Sequence, residues 1–73
     1  MQRKPQCSWD DVSQNWTSYR GAVRRRWSKL KHEDMEQIQG NRGVLVATIQ
    51  KRYGATEEEA SRQIDEWLEI LEC

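Results

Sequence analysis

The 73-residue sequence contains no phenylalanine, one proline, one histidine and two cysteines. The proline, Pro5, precedes every candidate helix, so no proline ring interrupts the chain after its first residues. The lone histidine, His32, is predicted to be a solvated residue in a turn, so no serine or cysteine has a histidine and an acid arranged for nucleophilic catalysis. These shortages make an enzyme the least expected class.

The two cysteines, Cys7 and Cys73, have neither a CxxC spacing nor enough histidines to form a zinc site. Free thiols in a reducing compartment are the default expectation. A disulfide between them requires the two ends of the chain to bring their Cα atoms to within about 4.4 to 6.8 Å.

Long apolar runs are also missing. The N-terminus lacks the apolar run of a signal peptide, and the longest run, residues 44–47, is far shorter than a membrane helix. We therefore expect a soluble, cytoplasmic protein without membrane insertion, and a monomer rather than an obligate oligomer.

The net charge is zero, but the charges are segregated along the chain. Residues 1–31 carry eight Lys and Arg against two Asp, a net charge of +6, whereas residues 32–73 carry four against ten acids, a net charge of -6. This pattern suggests attraction between the two halves first and an anionic partner second. With 33% charged residues, a loosely folded, hydrophilin-like protectant is a further alternative.

The richest apolar pattern lies in residues 9–30, where a helical period places seven large side chains on one stripe. The pattern predicts one long helix with Ser8 as its N-cap, ending at about Lys29. Residues 1–7 are predicted to be a disordered lead, and residues 8–73 a single domain. The stripe consists of Trp9, Val12, Trp16, Tyr19, Val23, Trp27 and Leu30.

Three further helices follow from apolar spacing and end signals. A short helix between Leu30 and Gly40 is acidic in its first turn and ends at the glycine. The next covers residues 42–53, is capped by Asn41 and stops at Gly54, and the last begins at Thr56 with a capping box and runs to about residue 71. Their predicted core residues are Ile38, Leu45, Ile49, Tyr53, Ile64, Trp67 and Leu68. The sequence thus predicts an all-α, single-domain bundle of four helices.

Three runs of the sequence resemble the CsbD-like family of small bacterial stress-response proteins: WDDVSQNWTSYRGAVRRRWSKL, MEQIQGNRGVLVATIQKRYG and TEEEASRQIDEW. The resemblance spans about residues 9–67 without gaps. It is carried by Trp9, Trp16, Gly21, Trp27, Leu30, Ile38, Gly40, Arg42, Ile49, Gln50, Arg52, Tyr53, Gly54, Glu58, Glu59, Ala60 and Trp67.

The resemblance implies two helix pairs packed at steep angles, a cytoplasmic setting, production under general stress and no enzymatic activity. The sequence departs from the family pattern at Lys31, Gly43 and Ala47. These departures bear on the second helix and on the charge near Arg42, and they leave the fold assignment unchanged.

The basic residues of the first helix have two readings. They could form a small nucleic-acid-binding surface, with tryptophan or tyrosine stacking on bases. Alternatively, they form a solvated collar whose aliphatic stems cover apolar surface, which is the simpler reading of their scattered positions on the helix. The candidate contacts are Arg20, Arg24, Arg25, Lys29 and Lys31, accompanied by Arg26.

Other candidate features have structural explanations. The turn at residues 40–43 is a weak match to a phosphate cradle, and helix capping accounts for its glycines. Arg42 is predicted to be partly buried and paired with Asp65 or Glu66. The carboxylates of residues 57–59 suit the positive end of a helix better than a calcium loop.

The function expected from the sequence is therefore a non-enzymatic, cytosolic, stress-associated protein that acts by binding or protection. Nucleic-acid binding through residues 20–31 is the alternative. No cofactor or metal is expected, and the partner is either a protein, met through a partly exposed Trp9 or Trp16, or a weakly bound anionic polymer.

Overall fold

The computed structural model describes residues 7–71, which form five α-helices. They are α1 (Trp9–Gln14), α2 (Trp16–Arg26), α3 (His32–Ile38), α4 (Arg42–Tyr53) and α5 (Glu57–Ile70). The all-α class is confirmed for this part of the chain. Helix α4 packs against both α3 and α5, so it lies at the centre of the domain.

The prediction of one long first helix is wrong, because the chain breaks at Asn15. This residue leaves the helical region at φ -117°, ψ 37°, and its side-chain amide donates to the Asp11 carbonyl oxygen at 3.0 Å. Asparagine competes with the helical backbone for hydrogen bonds in this way. The segments on either side of the break contact different parts of the domain: Trp9 Nε1 in α1 donates to the Gly40 carbonyl, whereas Trp27 Nε1, directly after α2, donates to Gln63 Oε1.

Helix α2 also ends at Arg26, earlier than the predicted Lys29. Trp27 and Leu30 follow it in a turn closed by the Leu30 amide on the Trp27 carbonyl, and both side chains are buried. Burial of these two side chains therefore shapes the connection to α3.

The starts and stops of α4 and α5 are confirmed. The Asn41 side chain accepts the Val44 amide at 3.2 Å, and Gly54 ends α4 in the left-handed region at φ 66°. Thr56 and Glu59 exchange side-chain and backbone hydrogen bonds of 3.1 and 3.0 Å at the start of α5. Local capping chemistry was sufficient to place these boundaries.

The end of α3 differs from the expectation that Gly40 terminates it. The left-handed cap residue is Gln39, at φ 42°, and Gly40 follows at φ 79°. Gly40 lies against α1, where a Cβ atom would meet Ser13 Oγ at 3.0 Å and Ser13 Cα at 3.4 Å. The glycine is needed both for its backbone angle and for this close approach.

We expect Gly40→Ala to lower the free energy of unfolding by about 1 to 3 kcal/mol, because the methyl group meets Ser13 and the positive φ is strained. Gly21→Ala is the matched control. Gly21 lies inside α2 with nothing within 4 Å of its Cβ position, so alanine should stabilise by about 0.5 to 1 kcal/mol. Urea unfolding of the three proteins measures both values; equal effects at the two sites would contradict the packing at Gly40.

The structure buries most of the predicted core. Trp9, Trp16 and Tyr19 are half-buried and pack against the core. Tyr53 was predicted to be core, but it lies at the surface and is 36% exposed, because its hydroxyl is held by the backbone of Lys29. The predicted residues that are buried are Val12, Val23, Trp27, Leu30, Ile38, Leu45, Ile49, Ile64, Trp67 and Leu68.

Cys7 corrects two expectations at once. It was placed in a disordered lead with a free thiol, yet it is only 1% exposed within the core and is disulfide-bonded. Met35 and Ala60 complete the core around it. Cys73 and residues 1–6 of the predicted lead lie outside the described residues.

Candidate functional site

The predicted nucleic-acid contacts lie on one continuous stretch, residues 20–31, which we call the basic segment. Arg24, Arg25 and Arg26 form the last turn of α2 and are exposed, as are Lys29 and Lys31 in the connection to α3. Arg20, one turn earlier, is half-buried. Because Trp27 and Leu30 point into the core from the same stretch, the cations remain at the surface.

Tyr53 joins the basic segment from the end of α4. The Lys29 backbone N–H donates to the Tyr53 hydroxyl at 3.0 Å, and Lys29 Nζ lies 5.1 Å from the centre of the tyrosine ring. A cation at this distance from an aromatic ring is attracted to its face. The contact holds an exposed aromatic ring beside the cations, which the sequence did not indicate because the two residues are 24 positions apart.

The acidic half uses its charges within itself. The ion pairs among residues 7–71 are Arg42–Asp65 and Arg52–Asp34, and His32 Nε2 lies 3.1 Å from Glu36 Oε1; every one of these residues lies beyond position 31. The expected attraction between the two halves therefore forms no ion pair in the described part of the chain. Within residues 7–71, the cations of the basic segment are left without a carboxylate partner.

The strongest of these pairs joins α3 to the end of α4. Arg52 Nε and Nη2 donate to the two carboxylate oxygens of Asp34 at 2.8 and 2.9 Å, and the Lys31 backbone N–H donates to Asp34 Oδ2 at 2.9 Å. A fork of this kind fixes both distance and orientation. These hydrogen bonds, led by Arg52, lower the pKa of Asp34 to about 2 although burial opposes the change.

This lowered pKa predicts how stability depends on pH. The unfolded chain has an aspartate pKa of about 3.9, so the contribution of Asp34 is complete above that value and is lost as pH falls towards 2. We expect a loss of at most about 2 kcal/mol over this range. Thermal unfolding between pH 7 and pH 2 should show a smaller decrease for Asp34→Asn than for the native chain; parallel curves would contradict the assignment.

Arg42 lies at the start of α4, and its predicted pairing is confirmed. Its Nη2 donates to Asp65 Oδ1 at 2.8 Å and to Ser61 Oγ at 3.1 Å, and the side chain is partly buried. This links α4 to α5. The turn at residues 40–43 thus packs against α1, caps α4 and joins α5 through Arg42, which are all structural roles.

The remaining candidates are also held by local contacts. His32 is exposed and lies 3.1 Å from Glu36 one helical turn away. Among the acids of residues 57–59, Glu59 accepts the Thr56 backbone N–H, and this bond lowers the pKa of its carboxyl. Trp9 and Trp16, considered for partner contact, lie beside each other with ring centres 6.2 Å apart.

Sequence reasoning missed the Asp34–Arg52 pair and Tyr53 as a surface residue. A carboxylate in a first turn and an arginine in a last turn each have a local explanation through the helix dipole, which hides a contact between them. None of the described helices has the length and apolar character needed to cross a membrane.

Comparisons with known proteins give one consistent result. The chain is 40% identical over 58 residues to the UPF0337 protein YjbJ of Escherichia coli O6:H1, covering 80% of this chain and 84% of that protein. It is 36% identical over 58 residues to the UPF0337 protein YjbJ of Salmonella typhimurium, covering 80% of this chain and 83% of that protein. It is 33% identical over 63 residues to the UPF0337 protein RPA4217 of Rhodopseudomonas palustris, covering 86% of this chain and 96% of that protein.

No family model matches the chain, and no solved structure is significantly similar to it. The relatives nevertheless match at more than 30% identity across most of both lengths. This chain therefore belongs to the UPF0337 family, which corresponds to the CsbD-like family.

Proposed function

We propose that this chain is a non-enzymatic, cytoplasmic protein of the general stress response that acts by binding or protecting other macromolecules. The stress-response role follows from the CsbD-like resemblance. It is a proposal for this chain, since the names of its relatives state a family and no activity.

The binding proposal is supported by the contacts that the polar side chains make within the fold. Asp34 is held by Arg52, Arg42 by Asp65 and Ser61, and each of these contacts joins two helices. These charged side chains are thus held in contacts that stabilise the fold. What the surface offers instead is segregated charge, which suits stoichiometric binding.

A protection assay tests the proposal. Citrate synthase is heated with increasing amounts of this protein, and aggregation is followed by light scattering against a helical protein of similar size and net charge. We expect half-maximal protection at about one molar equivalent. No protection at a tenfold molar excess would contradict the protective role, and protection at far below one equivalent would contradict stoichiometric action.

The stress-response part has its own test. Immunoblots of the source organism in exponential growth, in stationary phase and after heat or osmotic stress report the abundance of the protein. We expect a severalfold rise under at least one of these conditions. Constant abundance under all of them would contradict this part of the proposal.

The disulfide at Cys7 is the observation that weighs against a cytoplasmic setting, because stable disulfides are typical of oxidising compartments. Cell fractionation with immediate alkylation of thiols separates the two cases. A cytoplasmic protein with alkylated cysteines supports the proposed setting. A protein recovered outside the cytoplasm with unmodified cysteines contradicts it.

A further inference from the structure

We propose that the basic segment and Tyr53 together form a binding surface for single-stranded nucleic acid, with the tyrosine ring as a base-stacking platform. This inference rests on the binding function proposed above and names one partner for it. The juxtaposition that carries it is Lys29, whose backbone and side chain both contact Tyr53.

The surface formed by the basic segment is positively charged. From position 12 to position 32 the sequence contains no acidic residue and six cations. None of those six forms an ion pair within residues 7–71, although the chain as a whole has as many acids as bases. A run of exposed cations without carboxylates attracts a polyanion and releases its counterions.

The helix dipole is a competing explanation for the positive charge at the end of α2. Arg24, Arg25 and Arg26 lie in the last turn of α2, where positive charge is favourable. This effect does not extend to Lys29 and Lys31, which lie beyond the end of the helix. The cations therefore continue past the region that the dipole explains.

The ring of Tyr53 is the aromatic part of the proposed surface. Tyr53 is the large aromatic side chain that this fold leaves most exposed among the described residues, and its hydroxyl is fixed by a hydrogen bond to the basic segment. A ring that is fixed beside cations and is 36% exposed matches the way proteins bind unpaired bases. Stacking requires bases outside a duplex, which selects single strands over double-stranded DNA and over lipid surfaces.

The test is fluorescence anisotropy of a fluorescein-labelled 12-nucleotide oligothymidylate titrated with the full chain. We expect a Kd on the order of 10 µM at 20 mM salt and a weakening of about 100-fold at 200 mM salt, as expected for about three phosphate contacts. Absence of binding at 20 mM salt would overturn the inference. Equal or tighter binding of a 12-base-pair duplex, or binding of phosphatidylglycerol vesicles without oligonucleotide binding, would also overturn it.

Variants separate the charges from the ring. The combined change Arg24→Gln, Arg25→Gln and Arg26→Gln should weaken binding at least 30-fold at 20 mM salt and reduce the salt dependence. Lys29→Gln with Lys31→Gln should act in the same direction without changing α2. Arg62→Gln is the matched control, because this exposed arginine lies in α5, outside residues 20–31, and it should have no effect.

Tyr53→Leu should weaken binding about fivefold or more with an unchanged salt dependence, since it removes stacking and no charge. Tyr53→Phe retains the ring but loses the hydrogen bond from the Lys29 backbone, so it should bind more tightly than Tyr53→Leu. Native affinity of Tyr53→Leu, measured on a protein with unchanged circular dichroism, would overturn the stacking role. Failure of oligonucleotide binding while citrate synthase is still protected would overturn this inference alone and leave the proposed function standing.

Discussion

Trp27→Ala is expected to lower the free energy of unfolding by about 3 to 5 kcal/mol. Trp27 is buried, stacks edge-on against Trp67 with ring centres 5.6 Å apart, and donates its Nε1 proton to Gln63. Truncation removes the ring contact, leaves a cavity between α2 and α5, and takes the donor from the glutamine. A domain of this length has a total stability of only about 4 to 11 kcal/mol, so the variant should lose most of it.

The measurement is urea unfolding followed by circular dichroism, with Trp16→Ala as the control. Trp16 has the same side chain but is only half-buried, so its truncation should cost about half as much. Equal losses at the two tryptophans would contradict the packing of Trp27 against α5.

Arg52→Met is expected to cost about 2 to 3 kcal/mol, because it leaves the carboxylate of Asp34 without its guanidinium partner. Asp34 is only 7% exposed, so water replaces the lost donors poorly. Asp34→Asn should cost less, since an amide oxygen can still accept the Lys31 backbone N–H.

A double-mutant cycle isolates the interaction. The chain that carries both changes has no charge at position 34 or 52, so neither residue leaves an unpaired charge. The total loss in free energy of unfolding should therefore be at least about 1 kcal/mol smaller than the sum of the single losses. Glu36→Gln with Arg52→Met is the matched control, because Glu36 lies in the same helix and pairs with His32 instead. Strict additivity for Asp34 and Arg52 would show that the fork does not stabilise the domain.

These contacts also show what the sequence could predict. The limits of α4 and the start of α5 follow from residues that act on their own backbone: Asn41, Gly54, Thr56 and Glu59. The apolar stripe of residues 9–30 likewise identified four residues of the core: Val12, Val23, Trp27 and Leu30. Such signals act on the nearby backbone, so they can be read from the sequence without knowledge of the tertiary contacts.

The errors arose where tertiary contacts decide the local geometry. At Asn15 the helical period continues without interruption, but Trp9 in α1 contacts Gly40, while Trp27, directly after α2, contacts Gln63. At the end of α3, the left-handed turn begins one residue early because Gly40 has to lie flat against Ser13. Neither constraint is visible before the partner segment is in place.

At the candidate site too, the sequence indicated the local features and did not indicate the long-range contacts. The cations of residues 20–31 were identified from composition, yet their expected partner was the acidic half of the chain. The fold shows three of those acids, Glu36, Asp65 and Asp34, beside His32, Arg42 and Arg52 from their own half. Tyr53 was assigned to the core by its helical face, and its place beside Lys29 depended on a contact across 24 residues.

The central claim is that the basic segment is not neutralised by the rest of the domain and remains open to an anionic partner. The dependence of stability on sodium chloride tests this claim most directly, with urea unfolding at 20, 100 and 500 mM salt. Because the Asp34–Arg52 pair is largely buried and weakly screened, we predict a free energy of unfolding that changes by less than about 0.5 kcal/mol or rises with salt. A decrease of more than about 1 kcal/mol would show that the two halves attract each other through exposed charges, and would contradict the account.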